Sequence, residues 1–267
     1  MAFVAANGIR LSYQRSGRGD PVLLIMGSTA GGRLWTMHQT PALNRAGYET
    51  ITFDNRGIAP TDVPPGRYQL DDLVADTVGL IEALGLGRCA LVGTSLGAGV
   101  AQEIALSRPD LVRCAVLLGT RARADAMGRA HTLAGRALAE SGAKLPAAYR
   151  AATSAIQMLS PATLNNDAAA GTWLDLFELS GDAGAGADGQ AWADSLEDRR
   201  AALRGISAPC RVIAFADDLI TPPKLCAETA AVIPDCDYVE IADCGHLGYL
   251  ERPEEVNAAI LEFLAAH

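Results

Sequence analysis

Apolar residues cluster along this chain in short runs, each followed by a stretch with helical spacing. Val22-Leu23-Leu24-Ile25 is an early run and Thr50-Ile51-Thr52-Phe53 the next. Leu70 to Leu84 then places its apolar residues at the helical period. Cys89-Ala90-Leu91-Val92 precedes a helical pattern through Val100-Ala101-Gln102-Glu103-Ile104-Ala105-Leu106, and Ala115-Val116-Leu117-Leu118 follows. Such alternation predicts an α/β fold, with a mostly parallel central sheet and helices on both faces. From about Arg121 to Leu203 the rhythm stops. This segment is rich in alanine, contains no strand-like run, and holds a glycine-rich stretch over 181–189 that reads as a flexible linker. The rhythm resumes with Val212-Ile213-Ala214-Phe215 and Tyr238-Val239-Glu240-Ile241, and a last helix is expected from near Arg252-Pro253-Glu254-Glu255. The pattern divides the chain into a core, 1–120 and 206–267, and an inserted helical cap, 121–205. The first eight residues read as a strand entering an Asn7-Gly8 hairpin turn, not as a signal peptide.

The chemistry begins where a strand-like run meets a helix. Gly93-Thr94-Ser95-Leu96-Gly97 stands between the Cys89 run and the Val100 pattern, in the order strand, tight turn, helix. In that context G-x-S-x-G describes a nucleophile elbow. The turn forces Ser95 into a strained backbone, and the flanking glycines remove side chains that would collide. The hydroxyl then stands at a helix N-terminus, where N–H groups favour a developing negative charge. A serine needs a base, and the chain has four histidines. His267 is the last residue, and His38 and His131 lie outside any strand-end context. His246 sits in a loop after the Tyr238 run and before the C-terminal helix, so it can reach over the sheet edge. An acid that orients the imidazole is expected between the two in sequence. Asp217 and Asp218 both end the Val212 run, and only one of them can face His246.

These features together resemble the α/β-hydrolase family over nearly the whole chain. In that family the acid commonly stands four residues before a proline, as Asp218 does before Pro222, so the resemblance favours Asp218. Its His-Gly oxyanion strand end corresponds to Ile25-Met26-Gly27-Ser28, with methionine in place of histidine. The resemblance assigns the oxyanion hole to the backbone N–H groups of Ser28 and Leu96. The family's D-x-R-G-x-G-x-S loop corresponds to Asp54-Asn55-Arg56-Gly57-Ile58-Ala59-Pro60-Thr61, where Ala59 and Thr61 depart from the pattern and the role is structural. The implied activity is that of a serine hydrolase acting on an apolar ester or related carbonyl compound. It requires no metal or organic cofactor. Cofactor-free haloperoxidase-like members share the motif order. Carbon–carbon bond hydrolases share the Gly27-Ser28 loop followed by Trp35, but usually carry Asn where this chain has Thr94. Hydrolase-fold tailoring enzymes of aromatic polyketide pathways share the Met-Gly strand end, which keeps cyclisation in view. A non-hydrolytic binding protein on this fold would be expected to lack one of the three residues Ser95, Asp218 or His246.

Composition narrows the partners. The chain has 267 residues, is 49% hydrophobic and carries a net charge of −9. Nucleic acid and anionic membranes both call for a basic face, so neither is expected as a partner. The six cysteines form no C-x-x-C pair, which fits a reduced, cytoplasmic protein. Trp35, Met158, Trp173 and Phe177 are the candidates for a substrate pocket, the last two at helical spacing on one face. The insertion shows no cluster of Arg or Lys that would mark an anionic head-group site. The expected ligand is therefore a small apolar or aromatic carbonyl compound.

Overall fold

The computed structural model describes residues 1–180 and 184–267. Asn7 and Gly8 take positive φ angles of 46° and 76°, the primed turn that an Asn-Gly pair favours. That turn joins β1 (Ala2–Ala6) to β2 (Ile9–Gly17), and the two pair antiparallel. Then come β3 (Pro21–Ile25), α1 (Gln39–Arg45), β4 (Glu49–Phe53), α2 (Leu70–Ala83), β5 (Cys89–Thr94), α3 (Leu96–Ser107) and β6 (Val112–Leu118). The chain closes with β7 (Cys210–Phe215), α10 (Pro223–Val232), β8 (Cys236–Ile241), α11 (Gly248–Glu251) and α12 (Pro253–Ala266). The strands form one sheet in the order β1-β2-β4-β3-β5-β6-β7-β8. Only β2 runs against its neighbours β1 and β4; every other pairing is parallel.

The period-2 geometry of the strands explains why short apolar runs suffice. Along β3, Leu23 and Ile25 enter one core while Val22 and Leu24 enter another on the opposite face. Along β5, Leu91 and Val92 divide in the same way. The first core is closed by Leu73, Leu80 and Ile81 of α2, Val100 and Ile104 of α3, and Cys226 of α10. The second is closed by Leu43 of α1 and by Val256, Ile260 and Phe263 of α12. Strands buried on both faces read as continuous hydrophobic runs, and here they do.

Between β6 and β7 the described residues hold six helices and no strand: α4 (Ala126–Ser141), α5 (Ala147–Met158), α6 (Pro161–Leu164), α7 (Asp167–Leu179), α8 (Gly184–Gln190) and α9 (Arg200–Leu203). The linker expected over 181–189 falls partly outside the described residues, at 181–183. The remainder is not a linker: it forms α8. Two of its glycines, Gly186 and Gly189, serve close approach. A Cβ on Gly186 would stand 1.9 Å from the Gly57 carbonyl oxygen, and one on Gly189 would stand 2.7 Å from the Tyr68 ring. Glycine lets α8 lie directly on the 54–68 segment of the core.

Candidate active site

The turn after β5 shows why its residue types are required. Ser95 has φ 54° and ψ −120°, a region that costs a non-glycine residue on the order of 1–3 kcal/mol. Its N–H donates to the Leu118 carbonyl, and its own carbonyl accepts from Ala98 and Gly99. A Cβ on Gly93 would come within 2.3 Å of the Gly97 oxygen, and one on Gly97 within 2.2 Å of the Ile25 oxygen. The elbow therefore admits only glycine on either side. Leu96 is the first residue of α3, so its N–H has no partner within the helix.

Asp218 lies just beyond β7, and the turn that follows wraps its carboxylate. Oδ1 accepts from the Ile220 N–H (2.8 Å) and the Thr221 N–H (2.9 Å). Oδ2 accepts from the Thr221 hydroxyl (2.8 Å) and pairs with His246 Nδ1 at 2.7 Å. Asp217 is not a partner of the ring; its N–H donates to the Cys244 carbonyl. Burial works against ionisation of Asp218. The His246 ring and the Thr221 donors together outweigh it and hold the carboxyl below its ordinary range. Gly119, at φ 52° after β6, leaves room for the pair: a Cβ there would meet Thr221 Oγ1 at 3.2 Å, Asp218 Oδ2 at 3.4 Å and His246 Cε1 at 3.5 Å. Both hydrogen bonds of the imidazole use Nδ1. Nε2 is thereby the nitrogen available to a hydroxyl.

The loop that carries His246 is tied down by Glu251. One carboxylate oxygen accepts from the Gly245 N–H (2.7 Å). The other accepts from the Ser160 N–H (3.0 Å) and hydroxyl (2.8 Å) and from the Thr163 hydroxyl (2.5 Å). Leu247 N–H also donates to the Met158 carbonyl at 3.1 Å. The junction of α5 and α6 thus fastens directly onto the histidine loop. Replacing Glu251 with alanine strands two backbone N–H groups at once. It is expected to cost about 2–3 kcal/mol, read as a lower urea midpoint at unchanged m-value.

A cavity of about 430 Å³ lies at the carboxyl ends of β3, β5 and β6, the place where open parallel sheets bind ligands. Ser95, His246, Ser28 and Leu96 all line it, and so does Met158. Three expected wall residues do not. Trp35 is fully buried in the second core, its ring 5.0 Å from that of Tyr249. The 3-10 turn at Gly32–Thr36 points it down into the sheet, and Tyr249 stands at the wall instead. Trp173 and Phe177 do share one face of α7, with rings 5.7 Å apart. That helix packs beside α5 and α6, and neither ring reaches the cavity.

The cavity is also more polar than the sequence suggests. Arg121, Arg123 and Arg199 line it, whereas no basic cluster was expected there. Each is neutralised by a partner: Arg121 by Asp194 (2.6 Å), Arg123 by Glu228 (2.8 Å) and Arg199 by Glu103 (2.7 Å). His131 of α4 reaches the same wall. Its ring keeps contact with solvent, yet partial burial pushes it below its ordinary value, with Arg121 and His246 adding to the effect and Asp194 opposing it. Arg121 could have been suspected from its place two residues past a strand-end glycine. No spacing marks His131 or Gln190 beforehand.

A sequence profile described as the alpha/beta hydrolase fold matches residues 20–253. The chain belongs to the alpha/beta hydrolase fold family. Within it, the chain is 43% identical over 259 residues to a Mycobacterium tuberculosis protein with the provisional name non-heme bromoperoxidase BpoC, covering 97% of this chain and 98% of that one. The crystal structure of that protein superposes with a TM-score of 0.92 over 96% of each chain. A 3-oxoadipate enol-lactonase of Acinetobacter baylyi is 26% identical over 96% of this chain and 94% of its own. A thermophilic esterase of Thermogutta terrifontis, 28% identical, superposes with a TM-score of 0.84, covering 99% of this chain and 96% of that one. Among the described residues, no helix of this family member is long and apolar enough to cross a membrane.

Proposed function

We propose that this alpha/beta hydrolase is a serine hydrolase of small, mainly apolar esters or related carbonyl compounds. The observation that carries the reading is the convergence of an elbow serine and an aspartate-held histidine on one cavity. Ser95 Oγ attacks the carbonyl carbon while His246 Nε2 takes its proton. Asp218 keeps the Nδ1 proton in place and stabilises the imidazolium that forms. The N–H groups of Ser28 and Leu96 receive the oxyanion. His246 returns its proton to the leaving group, an acyl-enzyme remains, and water activated by the same nitrogen releases the acid. The helical insertion acts as a cap, contributing Leu138 and Met158 to a cavity also lined by Met26, Leu96, Ile220 and Leu247.

Burial of a methylene contributes about 0.8 kcal/mol. Over a series of p-nitrophenyl esters, kcat/KM is therefore expected to rise roughly threefold to fourfold for each carbon from acetate upward until the cavity is filled. A flat profile, or a preference for charged acyl groups, would remove the apolar-substrate reading. The name carried by the 43% identical relative favours a second use of the same acyl-enzyme, its capture by hydrogen peroxide to give a peracid. Peroxide-dependent bromination of monochlorodimedone in acetate buffer, absent in Ser95→Ala, would support it.

A further inference from the structure

Thr29 is held in a left-handed backbone conformation at φ 62°. For a β-branched residue this is a genuine outlier, and one that persists only where its surroundings enforce it. It immediately follows Ser28, whose N–H is one of the two donors proposed above. What enforces it comes from far away in sequence. The Thr29 N–H donates to the side-chain oxygen of Gln190 at 2.7 Å. The amide nitrogen of Gln190 donates in turn to the Arg56 carbonyl at 2.8 Å. Gln190 is buried, with only 1% of its surface exposed, and both ends of its amide are engaged.

The anchor behind it is rigid. The Arg56 guanidinium makes two hydrogen bonds of 2.6 Å to the buried carboxylate of Asp76 in α2. On the other side of the donor, Asn55 Nδ2 donates to the Met26 carbonyl at 2.9 Å. The segment Gly27-Ser28-Thr29 thus hangs between two points fixed to the same loop. Asn55 holds the front end directly, and Gln190 is inserted as a bridge at the back. The bridge is in reach because α8 approaches Gly57 backbone to backbone at Gly186, and because the Tyr68 N–H donates to the Gly189 carbonyl at 2.9 Å.

We infer that Gln190 is a positioning residue for the oxyanion donor of Ser28, so that the donor is set only when α8 of the insertion is docked on the core. The inference rests on the hydrolase reading above. A donor that is mis-aimed by a fraction of an ångström loses most where charge has developed, in the transition state, and little in the ground state. Removing Gln190 should therefore lower kcat and leave KM nearly unchanged.

The test compares Gln190→Ala and Gln190→Glu with the parent, using p-nitrophenyl butyrate, kcat normalised to sites titrated by a fluorophosphonate, and inhibition by phenylboronic acid. The boronate adds to Ser95 Oγ as a tetrahedral anion and so reports on the oxyanion donors. Gln190→Ala is expected to lower kcat by roughly 10- to 100-fold, with KM within threefold and boronate inhibition weakened by a similar factor. Gln190→Glu keeps an acceptor for Thr29 while losing the donor to Arg56, and is expected to recover part of both losses. If Gln190→Ala folds poorly, Gln190→Glu alone decides, since it too must weaken boronate and kcat together. Unchanged kcat per titrated site, or a rise in KM alone with boronate affinity intact, would make Gln190 a packing residue and overturn the inference. Undiminished turnover in Ser95→Ala would instead overturn the hydrolase reading beneath it.

Discussion

Ser95→Ala is expected to lose hydrolysis of p-nitrophenyl esters by a factor on the order of 10⁴–10⁶ in kcat, together with all stoichiometric labelling by a fluorophosphonate. The argument starts from the backbone. Holding Ser95 at φ 54° and ψ −120° is costly, and a Cβ on either flanking glycine would stand 2.2–2.3 Å from a carbonyl oxygen. Such strain persists only where the surroundings enforce it, and at a cavity wall it is expected to present the side chain. Alanine tolerates the same backbone about as well as serine, so the substitution removes the hydroxyl and leaves the turn. Its urea midpoint should stay within about 0.5 kcal/mol of the parent. Labelling that persists at another residue, or turnover within tenfold of the parent, would remove Ser95 from the reaction.

How much of this was legible beforehand divides along one physical line. Whatever depends on local geometry can be read from the chain. The elbow needs glycine at Gly93 and Gly97, the hairpin needs Asn7-Gly8, and strands buried on both faces must be short apolar runs, so these features stand in the sequence itself. Asp218 was within reach because it ends such a run, and His246 because it lies in the loop after the last strand, β8. The apolar run that Asp217 and Asp218 both end does not choose between them; the resemblance favoured Asp218, and the turn to Thr221 folds two N–H groups and a hydroxyl onto that carboxylate. The wall of the cavity was least legible. Size and spacing single out Trp35 and the Trp173–Phe177 pair, but spacing says that residues share a face and not what the face meets. Trp35 belongs to the core, while the α7 pair does not line the cavity. Conversely, glycines such as Gly186 and Gly189 are the signature of close approach as much as of flexibility, and only the neighbouring Gly57 and Tyr68 distinguish the two.

The loss in Asp218→Asn is expected to be about 10⁴-fold in kcat, whereas Asp217→Asn should stay within a few-fold of the parent. The Asp218 carboxylate can only accept, so at 2.7 Å it compels His246 to carry its proton on Nδ1 and keeps Nε2 open as a base. An asparagine there keeps its carbonyl for the Ile220 and Thr221 donors and turns its NH₂ toward the ring. The imidazole must then accept at Nδ1, its proton moves to Nε2, and the nitrogen proposed to take the Ser95 proton can no longer do so. Acid stability provides an independent check. The Asp218 carboxyl is held below its ordinary value of 3.8 in the folded protein. Its ionisation therefore stabilises the fold above that unfolded value, and the contribution is lost as pH falls through the lower folded one. Urea unfolding from pH 6 down to pH 3 should show Asp218→Asn less stable than the parent at the upper end, with the gap narrowing toward the lower. A gap that stays constant across the range would contradict the lowered Asp218 carboxyl, and Asp217→Asn proving the more damaging to kcat would make Asp217 the acid.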